Sequence, residues 1–360
     1  MNFVRYEDLV GKRALEHIVD ARGVLLVSAG TILNEHHVEK LKNFEIDLAD
    51  IRVADVTPEE LQDEKEQEHS ADIAGEEAQA AAERKALISQ TLHLLTGMDR
   101  FIQKNGAVPV AELETQVVPV IRQLAGKGNI FRLLADLKTM SDYRYKQSIG
   151  VLVLSAKLGR WLGLGEQELS LLTTAACLYD IGYVKLPSYL LNKPERFAPN
   201  EYEIMKQHTR MGYELLKDSG VEHRVALAAL QHHEREDGSG YPDGLKGHEV
   251  DEFSKMIAIA DVYTALTSAR PYRPAFRFFE AVQEIHQGIM EGKFDARIGQ
   301  IFLKGLMEAQ IGSEVLLTDG TRGKILLINP NYPTRPMVMA GNHLIDLSKE
   351  TNLQISEVIG

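Results

Sequence analysis

The chain has 360 residues, 44 % of them hydrophobic, and a formal net charge of −12 at pH 7. Such a chain fits two or three compact units with ordinary cores, and its acidity excludes a general nucleic-acid binder, which would carry a basic face. Cys177 is the one cysteine, so no internal disulfide forms and a reducing compartment is expected.

The N-terminus, MNFVRYEDLV, lacks an apolar signal core, and no stretch reaches the roughly 18 apolar residues of a membrane span. A cytoplasmic protein without a membrane span is the expectation. Residues 1–55 read as a small α+β module. LEHIV and VLLVS, joined by Asp20-Ala21-Arg22-Gly23, predict a hairpin, and Asn34 caps a short helix, EHHVEKLKNF. No ligand cluster accompanies His36 and His37 in that helix, so they are read as solvated. Residues 56–111 read as an acidic helical linker followed by an amphipathic helix. Thr57-Pro58-Glu59-Glu60 is a capping box with proline at the first helical position. Further on, Leu87, Thr91, Leu94, Leu95, Met98, Phe101 and Ile102 recur at helical spacing. That stripe serves either docking on the following domain or pairing with its twin in a homodimer. Residues 112–309 are helical in pattern, broken by glycine and proline turns. Residues 310–360 return to strands: SEVLLTD, the Asp319-Gly320 turn, GKILLIN, a proline-bearing loop, VMAG and HLIDLS. The fold class is therefore mainly α, an all-helical bundle flanked by an N-terminal α+β module and a C-terminal β appendix.

Chemistry concentrates in QHHEREDGSGYPDG, residues 231–244. Neighbours on a helix point about 100° apart, but at a helix end both His232 and His233 can swing towards one point. His208 lies on a face shared with Tyr202, Met205, Gly212 and Leu215, where a packed core histidine is the ordinary reading. Asp261 sits in the apolar run MIAIADVYTAL, where an unpaired carboxylate is very costly. Asp180 follows ELSLLTTAACLY and precedes Gly182, the expected helix stop. A carboxylate there meets the negative end of the helix dipole and calls for a cation. Each residue alone fits a packing role as well as a ligand role. As a set, Asp180, His208, His232, His233 and Asp261 point to a divalent metal.

HHEREDGSGYPDG, followed by IAIADVYTALTSARPYR, resembles the HD-GYP domain, the helical subclass of HD phosphohydrolases that hydrolyse cyclic di-GMP in bacteria. The resemblance covers roughly residues 112–309. It implies two metals, sometimes three, with a bridging hydroxide, clamping the attacking and leaving oxygens of an in-line displacement. The family motif His-Asp-x-Gly-Lys stands here as Tyr179-Asp180-Ile181-Gly182-Tyr183, and an earlier family histidine aligns with Gln147 in SDYRYKQSIGV. In the family pattern, positions 147, 179, 180 and 261 hold one metal, while Asp180, His208, His232 and His233 hold the other. The first set keeps only its two carboxylates, because a carboxamide oxygen and a phenol of pKa near 10 are weak ligands at neutral pH. The resemblance thus implies one bound divalent metal, with iron, manganese and zinc not distinguished. It also implies substrate contacts. Arg270 and Arg273 match phosphate-binding positions, with helix-end salt bridges as the alternative role. Gly238, Gly240 and Pro242 shape a loop that presents Tyr241, and the family loop is implicated in meeting GGDEF-type partners. Thr264 and Ala269 stand where aspartates are common. The implied function is that of a degenerate HD-GYP protein in cyclic di-GMP signalling, a nucleotide sensor or interaction regulator without hydrolysis. The alternatives are an active phosphodiesterase with Tyr179 or Gln147 as unusual ligands, and a structural module whose histidines hold a stabilising metal.

Overall fold

The computed structural model describes residues 5–126, 129–138, 140, 142–191, 193, 195–269, 274–329, 332–350 and 352–359, with the helical backbone alone for 58–74. It divides into two units, Met1–Ala81 and Ala82–Gly360. Among the described residues no helix is long and apolar enough to cross a membrane.

In the first unit β1 (Arg13–Ala14) pairs with β4 (Val53–Ala54), and β2 (Ile18–Val19) with β3 (Leu25–Val27). The expected turn closes the β2–β3 hairpin. Asp20 Oδ1 accepts from the Arg22 and Val24 amides at 2.9 and 2.8 Å, and Gly23 takes φ +81°, which only glycine adopts without strain. Helix α1 (Glu35–Asn43) starts at Asn34, whose side chain accepts from the His37 amide at 2.9 Å. His37 Nδ1 accepts the Asn34 amide in return, so this histidine completes a cap while His36 stays exposed. Leu9, Ala14, Leu33 and Leu41 fill the unit's own core.

Helix α2 (Pro58–Asn105) begins at the proline expected to open it. Of the apolar stripe, Leu87, Thr91, Leu95, Met98 and Ile102 are buried and Leu94 half-buried, but Phe101 is 44 % exposed. Arg84, not part of the stripe, is buried against Asp136 at 3.0 Å. The second unit continues with α3 (Val118–Gly126), α4 (Ile130–Lys138), α5 (Tyr143–Trp161), α6 (Glu166–Leu178), α7 (Pro199–Lys206), α8 (His208–Asp218), α9 (His223–Gln231), α10 (Glu252–Thr267), α11 (Phe278–Met290) and α12 (Ala296–Glu308). Helix α5 is buried on nearly every side from Ile149 to Ala156. A Cβ at Gly150 would lie 2.6 Å from Thr264 Cγ2, so this glycine sets the close crossing of α5 and α10 that frames the site.

The C-terminal strands are β5 (Glu314–Leu317), β6 (Arg322–Asn329), β7 (Tyr332–Ala340), β8 (His343–Asp346) and β9 (Ile355–Val358). They form one antiparallel sheet in the order β8-β7-β6-β5-β9. Two readings of the sequence are corrected here. The proline-bearing segment extends β7 instead of forming a loop, and β9 was not anticipated. Pro333 and Pro336 cannot donate to a ladder, and the β6–β7 register shifts between Ile325 and Leu327 and again between Leu327 and Asn329. Val315, Leu317, Ile325 and Val338 join the helical core, so the sheet packs into the second unit.

Candidate metal centre

Glycine brings the ligand-bearing segments together. Asp180 follows α6, and two residues on, a Cβ at Gly182 would collide with the His208 carbonyl oxygen and lie 2.7 Å from the Gly212 amide nitrogen. Only glycine lets this turn press on α8, and the contact carries Asp180 to His208. His208 opens α8, with Nδ1 2.6 Å from the Met205 carbonyl oxygen. His232 caps α9, with Nδ1 3.0 and 3.1 Å from the Ala228 and Ala229 carbonyl oxygens. A carbonyl only accepts, so both Nδ1 atoms carry a proton and each ring turns its Nε2 inward, the nitrogen left to serve as a metal ligand.

Those two Nε2 atoms are 3.3 Å apart, and each lies 3.4 Å from Asp180 Oδ1. The carboxylate oxygen is buried and has no hydrogen-bond partner among the described residues. With His233, the ligand atoms of Asp180, His208 and His232 all fall within 4.8 Å of one another. Lone pairs converging in a buried place repel unless a cation lies between them. Ligands on a tetrahedron with bonds of about 2.0–2.1 Å stand about 3.3–3.4 Å apart, which is the spacing found among Asp180, His208 and His232. Burial, with the His232 and His208 rings adding to it, holds the His233 imidazole well below its ordinary pKa, in the neutral form a metal takes. These four residues could hold one divalent cation.

Asp261 has other company. Its Oδ1 accepts from Gln147 Nε2 at 2.9 Å and from the Tyr179 hydroxyl at 3.2 Å. Gln147 Nε2 also donates to the Asp261 carbonyl at 3.0 Å, which fixes the NH₂ end of the amide towards the carboxylate. Tyr179 is 1 % exposed. Burial, then the Asp180 and Asp261 charges, raise its phenol well above the ordinary value, so the proton stays on, within hydrogen-bond reach of Asp261 and of Asp180. Burial and the Asp180 charge raise the Asp261 carboxyl in turn. Where the family pattern has lone pairs, this half of the pocket presents hydrogen atoms.

Aromatic rings close the surroundings. Tyr183 stacks on His208 with centroids 4.5 Å apart, Tyr179 meets His232 edge-on at 5.0 Å, and Tyr241 stacks on His233 at 4.5 Å. The loop carrying Tyr241 is pinned by Glu234, whose buried carboxylate accepts from the Asp243 and Leu245 amides at 2.8 and 3.0 Å. A Cβ at Gly240 would lie 2.5 Å from the His233 carbonyl oxygen, and the Tyr241–Pro242 peptide is cis. Thr264 is buried and donates to the Ala260 carbonyl at 2.7 Å, while Ala269 is exposed. Arg270 and Arg273 lie outside the described residues.

Residues 130–298 match the family described as HD domain. Curated relatives agree. A cyclic di-GMP phosphodiesterase of Pseudomonas aeruginosa, PA4108, is 30 % identical over 274 residues, 73 % of this chain and 66 % of the relative. The cyclic di-GMP phosphodiesterase response regulator RpfG of Xanthomonas campestris pv. campestris is 43 % identical over 149 residues, 40 % of this chain and 38 % of the relative. A cyclic di-GMP phosphodiesterase of Thermotoga maritima is 36 % identical over 178 residues, 49 % of this chain and 47 % of the relative. This chain is an HD-GYP protein. It spans between 38 and 66 % of the length of those relatives.

Within this HD-GYP pocket, sequence reasoning missed three residues. Arg235, two positions after His233, supplies positive charge felt by Asp261. Tyr202 packs edge-on to Tyr241 at 6.3 Å, and Lys206 stands 5.7 Å over the Tyr241 ring. Tyr202 and Lys206 are spaced i, i+4 on α7 and so share a face, the one signal that could have paired them with the loop.

Proposed function

We propose that this HD-GYP protein binds a cyclic dinucleotide at a one-metal centre and acts in cyclic di-GMP signalling as a sensor or regulator with little or no hydrolysis. The observation that carries the reading is the pair of hydrogen-bond donors on Asp261 Oδ1. A cation approaching that oxygen would meet the positive ends of an N–H and an O–H. Asp180, His208, His232 and His233 would hold the metal, which when bound supplies a Lewis acid for a phosphate oxygen. The chain's own groups do the rest: Tyr241 stacks on His233 with Lys206 over its ring, Arg235 adds positive charge, and Tyr179 keeps its proton beside Asp261. Losing one electrostatic stabiliser slows a reaction about 10²–10³-fold. Here a second metal and the lysine replaced by Tyr183 are both absent from the design, so turnover falls below a useful rate.

A second reading, an active phosphodiesterase with a rebuilt centre, draws support from the names of the relatives and from the retention of both Asp180 and Asp261. One experiment separates the two. Metal content and cyclic di-GMP hydrolysis are measured for the wild type and for the triple variant Gln147→His, Tyr179→His, Tyr183→Lys. The expected result is one metal per chain and no turnover in the wild type, with two metals and gained turnover in the variant. Brisk wild-type hydrolysis with iron or manganese establishes the second reading instead.

A further inference from the structure

The second unit holds a cavity of about 290 Å³ that shares no residue with the metal cluster. Its walls come from α4, the start of α5, the end of α10, the start of α11 and β9. Three properties of the wall converge.

The first is charge. Lys138, Lys146 and Arg277 line the cavity, and the one acid among its described lining residues, Glu357, is exposed. Neither lysine has an acidic partner among the described residues. Lys146 feels both its partial burial and the repulsion of Lys138, which lower its pKa. Lys138 is exposed and Lys146 half-buried, and because both line the cavity an anion held there would meet two positive side chains.

The second is unspent polarity. Gln310 is 3 % exposed and Ser268 is 4 % exposed, both line the cavity, and neither side chain has a hydrogen-bond partner among the described residues. Neither residue has a polar side-chain atom that is wholly buried without a partner, so their polar atoms are open to a ligand or to water in the cavity. A carboxamide offers a donor and an acceptor side by side, a pattern that matches the edge of a nucleobase. The third is aromatic. Phe131 and Phe278 both line the wall, their rings edge-on to one another at 4.8 Å, so a planar ring can lie against one of them.

From phosphate-binding cations, a base-reading amide and stacking rings in one cavity, we infer a second ligand site for a nucleoside monophosphate. The volume sits at the low end of small-ligand pockets, about 300–1,000 Å³, which suits one nucleotide and not an enclosed dinucleotide. Lys146 directly precedes Gln147, and Thr264, another wall residue, lies three positions past Asp261. A ligand here therefore touches the two helices whose side chains meet at the Gln147–Asp261 hydrogen bond.

The test is calorimetry of the full chain with 5′-GMP in excess EDTA, which takes the metal centre out of play. Saturable binding of one equivalent is expected. Lys146→Glu and the surface change Lys138→Glu should each weaken it about tenfold or more, and Gln310→Leu should weaken it too, each variant keeping the wild-type circular dichroism spectrum. His233→Ala, at the metal cluster, should bind GMP like the wild type. Absence of GMP binding to the chelated wild type overturns the inference, as does loss in His233→Ala with full binding in both lysine variants. Inorganic phosphate competing as strongly as GMP overturns the nucleotide assignment, because phosphate has no ring or base edge to read.

Discussion

Asp261 is a carboxylate buried beside another, and such a group needs either a cation or hydrogen atoms aimed at it. It has the hydrogen atoms, from Gln147 and Tyr179. Tyr179→Phe removes one of them without changing the ring, so stability should fall by about 1–3 kcal/mol, read as a lower urea midpoint at unchanged slope. An unchanged midpoint would show the 3.2 Å bond to be idle. Gly182→Ala acts on geometry instead. The added methyl forces the turn away from α8, costing about 1–3 kcal/mol or more and loosening Asp180 from His208. Metal affinity and melting temperature should drop together. At this scale the sequence was informative about residue type: a phenol and a carboxamide in place of imidazoles are weak ligands. It was silent on direction. That the amide turns its NH₂ end to Asp261 depends on the Asp261 backbone carbonyl, a neighbour 114 positions away.

Between elements, α2 is tied to the site helix by more than its apolar stripe. Asp99 accepts from Arg144 and from the Tyr145 hydroxyl, each at 2.8 Å, at the first turn of α5. Burial, and then the hydrogen bond to Asp99, push the Tyr145 phenol up to about 12. The folded-state value lies above the unfolded value near 10. The stability tied to this proton is therefore complete below pH 10 and is lost as pH climbs towards 12. The margin of the wild type over Tyr145→Phe in chemical denaturation should hold from pH 7 to 9 and shrink from pH 10 to 12; a margin flat across that range removes Asp99 as its source. Periodicity revealed the stripe because burial repeats with the helix. It could not reveal Asp99 or Arg84, since charged residues on a helix read as solvated until a partner comes into view. Strand β7 hid for a related reason. Prolines signal a loop, and only the irregular β6–β7 register makes room for them.

For the whole molecule, the two units carry separate cores. A chain of residues 82–360 should fold cooperatively and keep its metal, checked by circular dichroism melting and elemental analysis; a molten product would show that the second core depends on the first unit. A metal held at the four-residue cluster binds the folded state alone, so it should add about 2.7 kcal/mol at a hundredfold excess over its dissociation constant. EDTA should lower the melting temperature of the wild type and leave His208→Ala unmoved. The broad division into a small α+β module, a helical body and terminal strands was legible from changes of pattern, whereas the packing of those strands into the helical core rests on contacts that no local window contains. The oxygen shared by Gln147 and Tyr179 also bears on how a paired centre could be built in this pocket. With a histidine at one of the two positions, the other side chain would still press a hydrogen on Asp261, so on the proposed reading neither change alone opens a berth for a second ion. Both would have to be made together, which is why the test variant carries them jointly.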